Sequence, residues 1–320
     1  MPKKALLLAL AALAVLAPVA FAGGEHVSLT LDWTPNPDHV GFYDARETGL
    51  FARAGLEVAI HAPSDPTAPL KLVGVGKSDL AVSYEQELFF AAAKKLPVVA
   101  VAAVVPRPLN SFMSIERQVK SLADLKGRTV GITGVPSDYA ILTSAGLKGK
   151  VKIVNVGYNL LPALLSHRVD AVLGVYRNVE GIQLQLRGLD PTIIPVGQAG
   201  VPTYDELVLV ASKPRLRDDP AYRSQVKRFV GAFLSGTADA RSHPDRALAI
   251  LKHVTASSDA FLARATPATL RLLAGPKGVG CLSVPAWRRF GRWMHARDLV
   301  KQPIPAASVV DASFLPPRCR

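Results

Sequence analysis

Short apolar runs alternate with helix-forming stretches twice along this chain, and a proline-bearing segment at residues 106–110 separates the two series. Such alternation restricts the fold to α/β architectures in which helices cover both faces of parallel sheets. In the first series the spacing of apolar residues predicts strands at 27–32, 56–61, 80–83 and 98–105. Helices fall between them, one capped by Asp38, one opened by Asp65-Pro66, and one over 87–95. The second series reads as a short helix at 121–125, strands at 128–133, 151–156, 170–174 and 192–195, and helices at 138–145, 160–166 and 178–186. A second connector at 197–204 leads into a strand at 206–211, and 220–300 is helical, with breaks at His243-Pro244 and near Gly275-Pro276. Residues 303–320 form a proline-rich tail.

A helical C-terminal piece has no sheet of its own, so it is expected to pack on the first series. The expected organisation is a discontinuous domain, 23–108 plus 205–320, around a second domain, 109–204. Two crossings between them form a two-stranded hinge able to close over a ligand.

Residues 1–22 read as a signal peptide: Lys3 and Lys4, an apolar run over 5–19, then Ala20-Phe21-Ala22 as a cleavage site. The run is short for a spanning helix. Gly23 and Gly24 follow where a lipoprotein would carry cysteine, so a free periplasmic protein is expected. The chain is 49% hydrophobic and 20% charged, which suits a packed core. Its formal charge of +13 is scattered, with only short basic groups such as Lys94-Lys95 and Arg288-Arg289, and nucleic acid is not expected as a partner. Cys281 and Cys319 are the two cysteines. In an oxidising compartment they either pair, tying the tail back, or stay separate thiols. No histidines cluster near them, and no metal is expected. No phosphate loop or Ser-His-Asp arrangement stands out, and Gly74-Val75-Gly76 lacks the rest of a nucleotide fingerprint.

In open parallel sheets ligands sit beyond the carboxyl ends of the strands. The residues following predicted strands there include Trp33 and Asn36, Tyr84 and Glu85, Gly134 to Ser137, and Tyr176, Arg177, Asn178 and Glu180. Trp33, Tyr84 and Tyr176 offer flat faces for stacking. Asn36, Glu85, Asn178 and Glu180 offer directed hydrogen bonds. The set fits a small planar, nitrogen-rich ligand. The competing reading makes the aromatics core and the carboxylates solvated helix-start residues.

Leu31-Asp32-Trp33-Thr34-Pro35-Asn36 followed by Gly41-Phe42-Tyr43 resembles the opening motif of the thiamine pyrimidine-precursor (formylaminopyrimidine) binding family. That family comprises importer components akin to the yeast-type pyrimidine precursor synthases. Asp65-Pro66-Thr67, Gly76-Lys77-Ser78-Asp79-Leu80, Ser83-Tyr84, Asn178-Val179-Glu180-Gly181 and Tyr204-Asp205-Glu206-Leu207-Val208 are similar to it as well. The match runs over 27–211. The resemblance implies a type II periplasmic-binding-protein fold, a monomer serving an ABC transporter permease and ATPase complex, and no cofactor. Carried onto this chain, it implies that Trp33 and Tyr84 stack on the pyrimidine while Asn36 and Glu180 bond its amino and ring nitrogens. Arg177 departs from the pattern, where relatives often have a second aromatic; it either meets an acidic or phosphorylated group or points to solvent.

Two other functions share this architecture. A precursor synthase would carry a cysteine-rich run, yet 190–210 holds no cysteine, and neither Lys nor His occurs near Tyr84 before Lys94. A riboflavin-type, sulfonate or nitrate binder would need other groups, and an anion binder could use donors at Gly134 to Ser137.

Overall fold

Two five-stranded sheets organise the chain, described over residues 24–319 in a computed structural model. The expected signal peptide lies outside the described residues. The first sheet contains β1 (Glu25–Thr30), β2 (Leu56–His61), β3 (Leu80–Ser83), β4 (Val98–Val105) and β10 (Leu207–Ser212) in the order β2-β1-β3-β10-β4. The second contains β5 (Asn110–Ser114), β6 (Thr129–Ile132), β7 (Lys152–Asn155), β8 (Ala171–Tyr176) and β9 (Thr192–Pro195) in the order β7-β6-β8-β5-β9.

The sheets are mixed rather than all-parallel. β10 runs antiparallel to β3 and β4, and β5 runs antiparallel to β8 and β9. Each of these strands follows a crossing between domains, so it enters its new sheet from the end opposite to the other strands. β5 was not expected from the sequence Asn-Ser-Phe-Met-Ser, which lacks both alternation and β-branched residues. All five residues are buried, and side-chain bonds satisfy the polar ones: Ser111 Oγ donates to Leu109 O (3.1 Å), Ser114 Oγ donates to Asp170 O (2.6 Å), and Asn110 Oδ1 accepts from Gly174 N (3.1 Å).

The helices in chain order are α1 (Val40–Glu47), α2 (Leu50–Arg53), α3 (Ala68–Gly74), α4 (Glu85–Ala93), α5 (Pro136–Ser144), α6 (Leu160–Leu165) and α7 (Glu180–Leu186). The C-terminal ones are α8 (Lys213–Asp218), α9 (Pro220–Ser242), α10 (Pro244–Val254), α11 (Asp259–Leu270) and α12 (Val284–Ala296). α3 begins later than Asp65-Pro66 suggests, because the Asp65 carboxylate accepts from the Thr67 backbone (2.8 Å) and hydroxyl (2.7 Å) in a preceding turn. Asp219 caps α9, accepting from Tyr222 N at 3.0 Å, with Pro220 at the first helical position.

The long α9 packs on α1 beside the first sheet. Phe42 stacks on Phe233 with ring centroids 4.3 Å apart, and Phe51 on Phe229 at 4.8 Å. Helix α9 and the tail therefore pack beside the first sheet. Cys281 and Cys319 are joined in a disulfide, which settles the pairing left open by the sequence. The tail folds into short 3₁₀ turns, and its backbone pairs with β4: Ala100 N donates to Val309 O (2.9 Å) and Asp311 N donates to Ala100 O (2.8 Å). The Gly280 carbonyl accepts from Ala103 N at 2.9 Å. Among the described residues no helix is long and apolar enough to cross a membrane.

Candidate functional site

The carboxyl ends of β1 and β3 face those of β6 and β8 across the domain boundary. Chain leaving β1 presents Asp32 and Trp33, and chain leaving β3 presents Tyr84. Tyr158 follows β7, Tyr176 ends β8, and Glu180 opens α7. These six side chains line a cavity of about 30 Å³. A second cavity of about 20 Å³ adjoins it across Tyr84 and Tyr176, and there Asn110, Ser137, Asp138 and Glu206 contribute. Gly174, at φ 102°, lines both; a Cβ there would meet Thr133 Cγ2 at 2.8 Å, so only glycine leaves this wall in place.

Aromatic faces and carboxyl groups dominate the lining. Trp33 and Tyr158 lie with centroids 6.3 Å apart and planes tilted by 30°. The Tyr84 hydroxyl donates to Asp32 Oδ2 at 3.2 Å, and His39 Nε2 contacts Asp32 Oδ1 at 2.8 Å. Glu180 Oε2 accepts from Tyr176 N at 2.7 Å. Glu206 Oε2, on the second crossing, accepts from Leu109 N (2.5 Å) and Asn110 N (2.8 Å) on the first, and from the Tyr204 hydroxyl (3.0 Å). One carboxylate thus ties the two hinge strands together. Among the described residues no lysine or arginine lines either cavity.

Burial pushes several of these acids upward. Glu180 and Glu206 each rise to about 7, and Asp138 also to about 7, although Thr133 and Gly134 donate to it. Asp38 rises to about 6 for the same reason. A carboxyl whose folded value lies above its unfolded one binds its proton more tightly in the folded state. The stability it contributes is complete below the ordinary range of 3.8–4.5 and is lost as pH rises through about 7. The melting temperature of the ligand-free protein should therefore fall as pH rises between those limits. A melting curve series that climbs over that interval would contradict the buried, neutral acids.

The domains are closed on each other. The Tyr158 hydroxyl donates to Asp32 O (2.7 Å), Ser137 N donates to Glu87 Oε1 (3.0 Å), and Asn178 Nδ2 donates to Asp38 Oδ1 (2.8 Å) and Thr269 Oγ1 (2.9 Å). Small-ligand sites typically measure about 300–1,000 Å³, so these walls have to part to admit a ring.

Of the expected site residues, Trp33, Tyr84, Tyr176, Glu180 and Ser137 meet in the cleft. Four others do not line it. Asn36 caps the turn before α1: its Oδ1 accepts from Asp38 N (2.8 Å) and its Nδ2 donates to Thr34 O (3.1 Å). Glu85 points behind the hinge, accepting from Asp205 N at 2.7 Å. Arg177 donates to Pro108 O at 2.8 Å and braces the first crossing. Asn178 bridges the domains. Sequence reasoning passed over Asp32, Tyr158, Asp138, Asn110 and Glu206. Tyr158 stands just beyond a predicted strand, so the strand-end rule itself could have found it. Asp32 and Glu206 fell inside predicted strand bounds.

Two α/β domains, joined by two crossings and closed over a cleft, define the periplasmic-binding-protein fold. The alkanesulfonate-binding protein SsuA of Xanthomonas axonopodis shares it at a TM-score of 0.71 and 17% identity, over 91% of this chain and 99% of that one. The family model described as "NMT1/THI5 like" matches residues 36–247, and the chain belongs to that family. It is 35% identical over 296 residues to the formylaminopyrimidine-binding protein of Halalkalibacterium halodurans, covering 88% of each chain. To a Haemophilus influenzae protein named for thiamine biosynthesis it is 41% identical over 229 residues, 70% of this chain and 71% of that one. The 4-amino-5-hydroxymethyl-2-methylpyrimidine phosphate synthase of Uromyces fabae matches at 27% over 50% of this chain and 49% of its own.

Proposed function

We propose that this protein is the solute-binding component of an ABC importer and captures a thiamine pyrimidine precursor of the formylaminopyrimidine or hydroxymethylpyrimidine type. It works as a periplasmic monomer that delivers its ligand to a permease and ATPase complex. The domains are taken as 23–108 plus 205–320 and 109–204, with ligand bound between them and no cofactor.

The observation that carries this reading is the character of the cleft: aromatic walls with Asp32, Asp138, Glu180 and Glu206, and, among the described residues, no lysine or arginine. Trp33 and Tyr84 give the pyrimidine ring its stacking surface. Glu180 accepts from the exocyclic amine, and a carboxyl held near 7 can share its proton with a basic ring nitrogen. Such a lining offers sulfonate and nitrate no positive charge to pair with. The likeness to a binding protein over 88% of the chain, against a likeness to a synthase over 50% of it, favours capture over catalysis.

A thermal-shift screen of the purified protein against pyrimidine precursors, thiamine, riboflavin, taurine and nitrate tests the proposal. Stabilisation by the aminopyrimidines is expected. Stabilisation by taurine or nitrate alone would replace the reading with that of an anion binder.

A further inference from the structure

The start of α5 has the makings of an anion site, and the protein fills it with its own carboxylate. Pro136 opens this nine-residue helix, so its first turn points backbone N–H groups and the positive end of the helix dipole toward the other domain. Glu87, on α4 of the first domain, meets it there. Its Oε1 accepts from Ser137 N at 3.0 Å, and the residue is only 8% exposed. The neighbouring donors are taken as well. Gly134 N (2.9 Å) and the Thr133 hydroxyl (2.6 Å) both donate to Asp138 Oδ2.

Glu87 also stands at a boundary. Outward from it opens a groove of about 510 Å³ between the domains, with Lys71, Lys94 and Lys95 in its lining. Those lysines draw anions toward the cleft mouth. Burial raises the Glu87 carboxyl, while the Ser137 bonds and the Lys94 charge pull it back toward the ionised form.

We propose that Glu87 is a specificity-determining residue: an internal anion that occupies the α5 N-terminus when the domains close and so excludes sulfonate and sulfate ligands from the cleft. The inference rests on the cleft being the ligand site, but not on the ligand being a pyrimidine. Specificity of this kind comes from the group that rejects the wrong ligand.

The test is a gain of binding, read by titration calorimetry with methanesulfonate and sulfate as probes on the full-length mature protein. Glu87→Ala frees Ser137 N and removes the charge, and should bind both anions at least about tenfold more tightly than the parent. Glu87→Gln removes the charge but still offers an acceptor to Ser137, and should gain less. A protein in which Glu87 serves only structure would lose stability in the alanine variant and gain no anion affinity. That result, with the variant folded by its melting curve, overturns the proposal. Should Glu87→Ala fail to fold, the nearly isosteric Glu87→Gln carries the test, and its equality with the parent overturns the proposal equally. Failure of every aminopyrimidine to bind the parent would undo the ligand assignment while leaving this comparison intact.

Discussion

Glu180→Gln is expected to weaken binding of an aminopyrimidine by tenfold or more while sparing flat ligands that lack an amino group. Glu180 lines the cleft with its Oε2 anchored by Tyr176 N at 2.7 Å. Glutamine can keep that anchor through its carbonyl but offers the ligand an NH₂ where a carboxyl stood. A hydrogen bond to a charged group contributes about 1.5–3 kcal/mol, which corresponds to roughly 10- to 150-fold in affinity. Trp33→Ala should behave differently, weakening every flat ligand together, since stacking discriminates little among rings. Titration calorimetry of both variants against formylaminopyrimidine and a deaminated analogue separates the two roles. Unchanged affinity in Glu180→Gln would remove that residue from the site.

The second large effect concerns stability. Replacing Cys281 and Cys319 together by serine should cost about 2–4 kcal/mol, the usual range for a bridge closing a loop of this order. The linked residues are 38 apart in sequence. For a chain of this size that cost lowers the melting temperature by roughly 5 °C. Ligand affinity should be unchanged, because neither cysteine lines the cleft. Parallel melting curves of the parent with and without reductant, and of the double variant, measure the effect. Coincident curves would show that the bridge adds nothing.

Most of the architecture was legible because its strands are short, apolar and punctuated. The run Val98–Val105 contains eight buried apolar residues and is hard to read otherwise. β5 was not legible, because its burial rests on tertiary bonds to Asp170 and Gly174 that no local pattern reveals. The mixed sheet directions were hidden for a related reason: strand polarity depends on which end of a sheet a crossing reaches. At the site, the strand-end rule brought Trp33, Tyr84, Tyr176 and Glu180 forward. It failed at Asn36, where a polar residue before Pro37 serves as a helix cap. It failed again at Asn178 and Arg177, whose partners lie in the other domain and in the hinge. Residue type announced hydrogen bonding in each case; only the fold decided with what.

The C-terminal tail does more than pack beside the first sheet. β4 is the outermost strand of its sheet and is apolar from end to end, the kind of edge on which a second chain can nucleate aggregation. Here that edge is shielded twice, by the Gly280 carbonyl and by the backbone around Val309 and Asp311. The disulfide joins the residue next to the first shield to the end of the chain that carries the second. Until oxidation locks that cover down, a newly folded molecule depends on reversible contacts alone to keep an adhesive strand away from its neighbours.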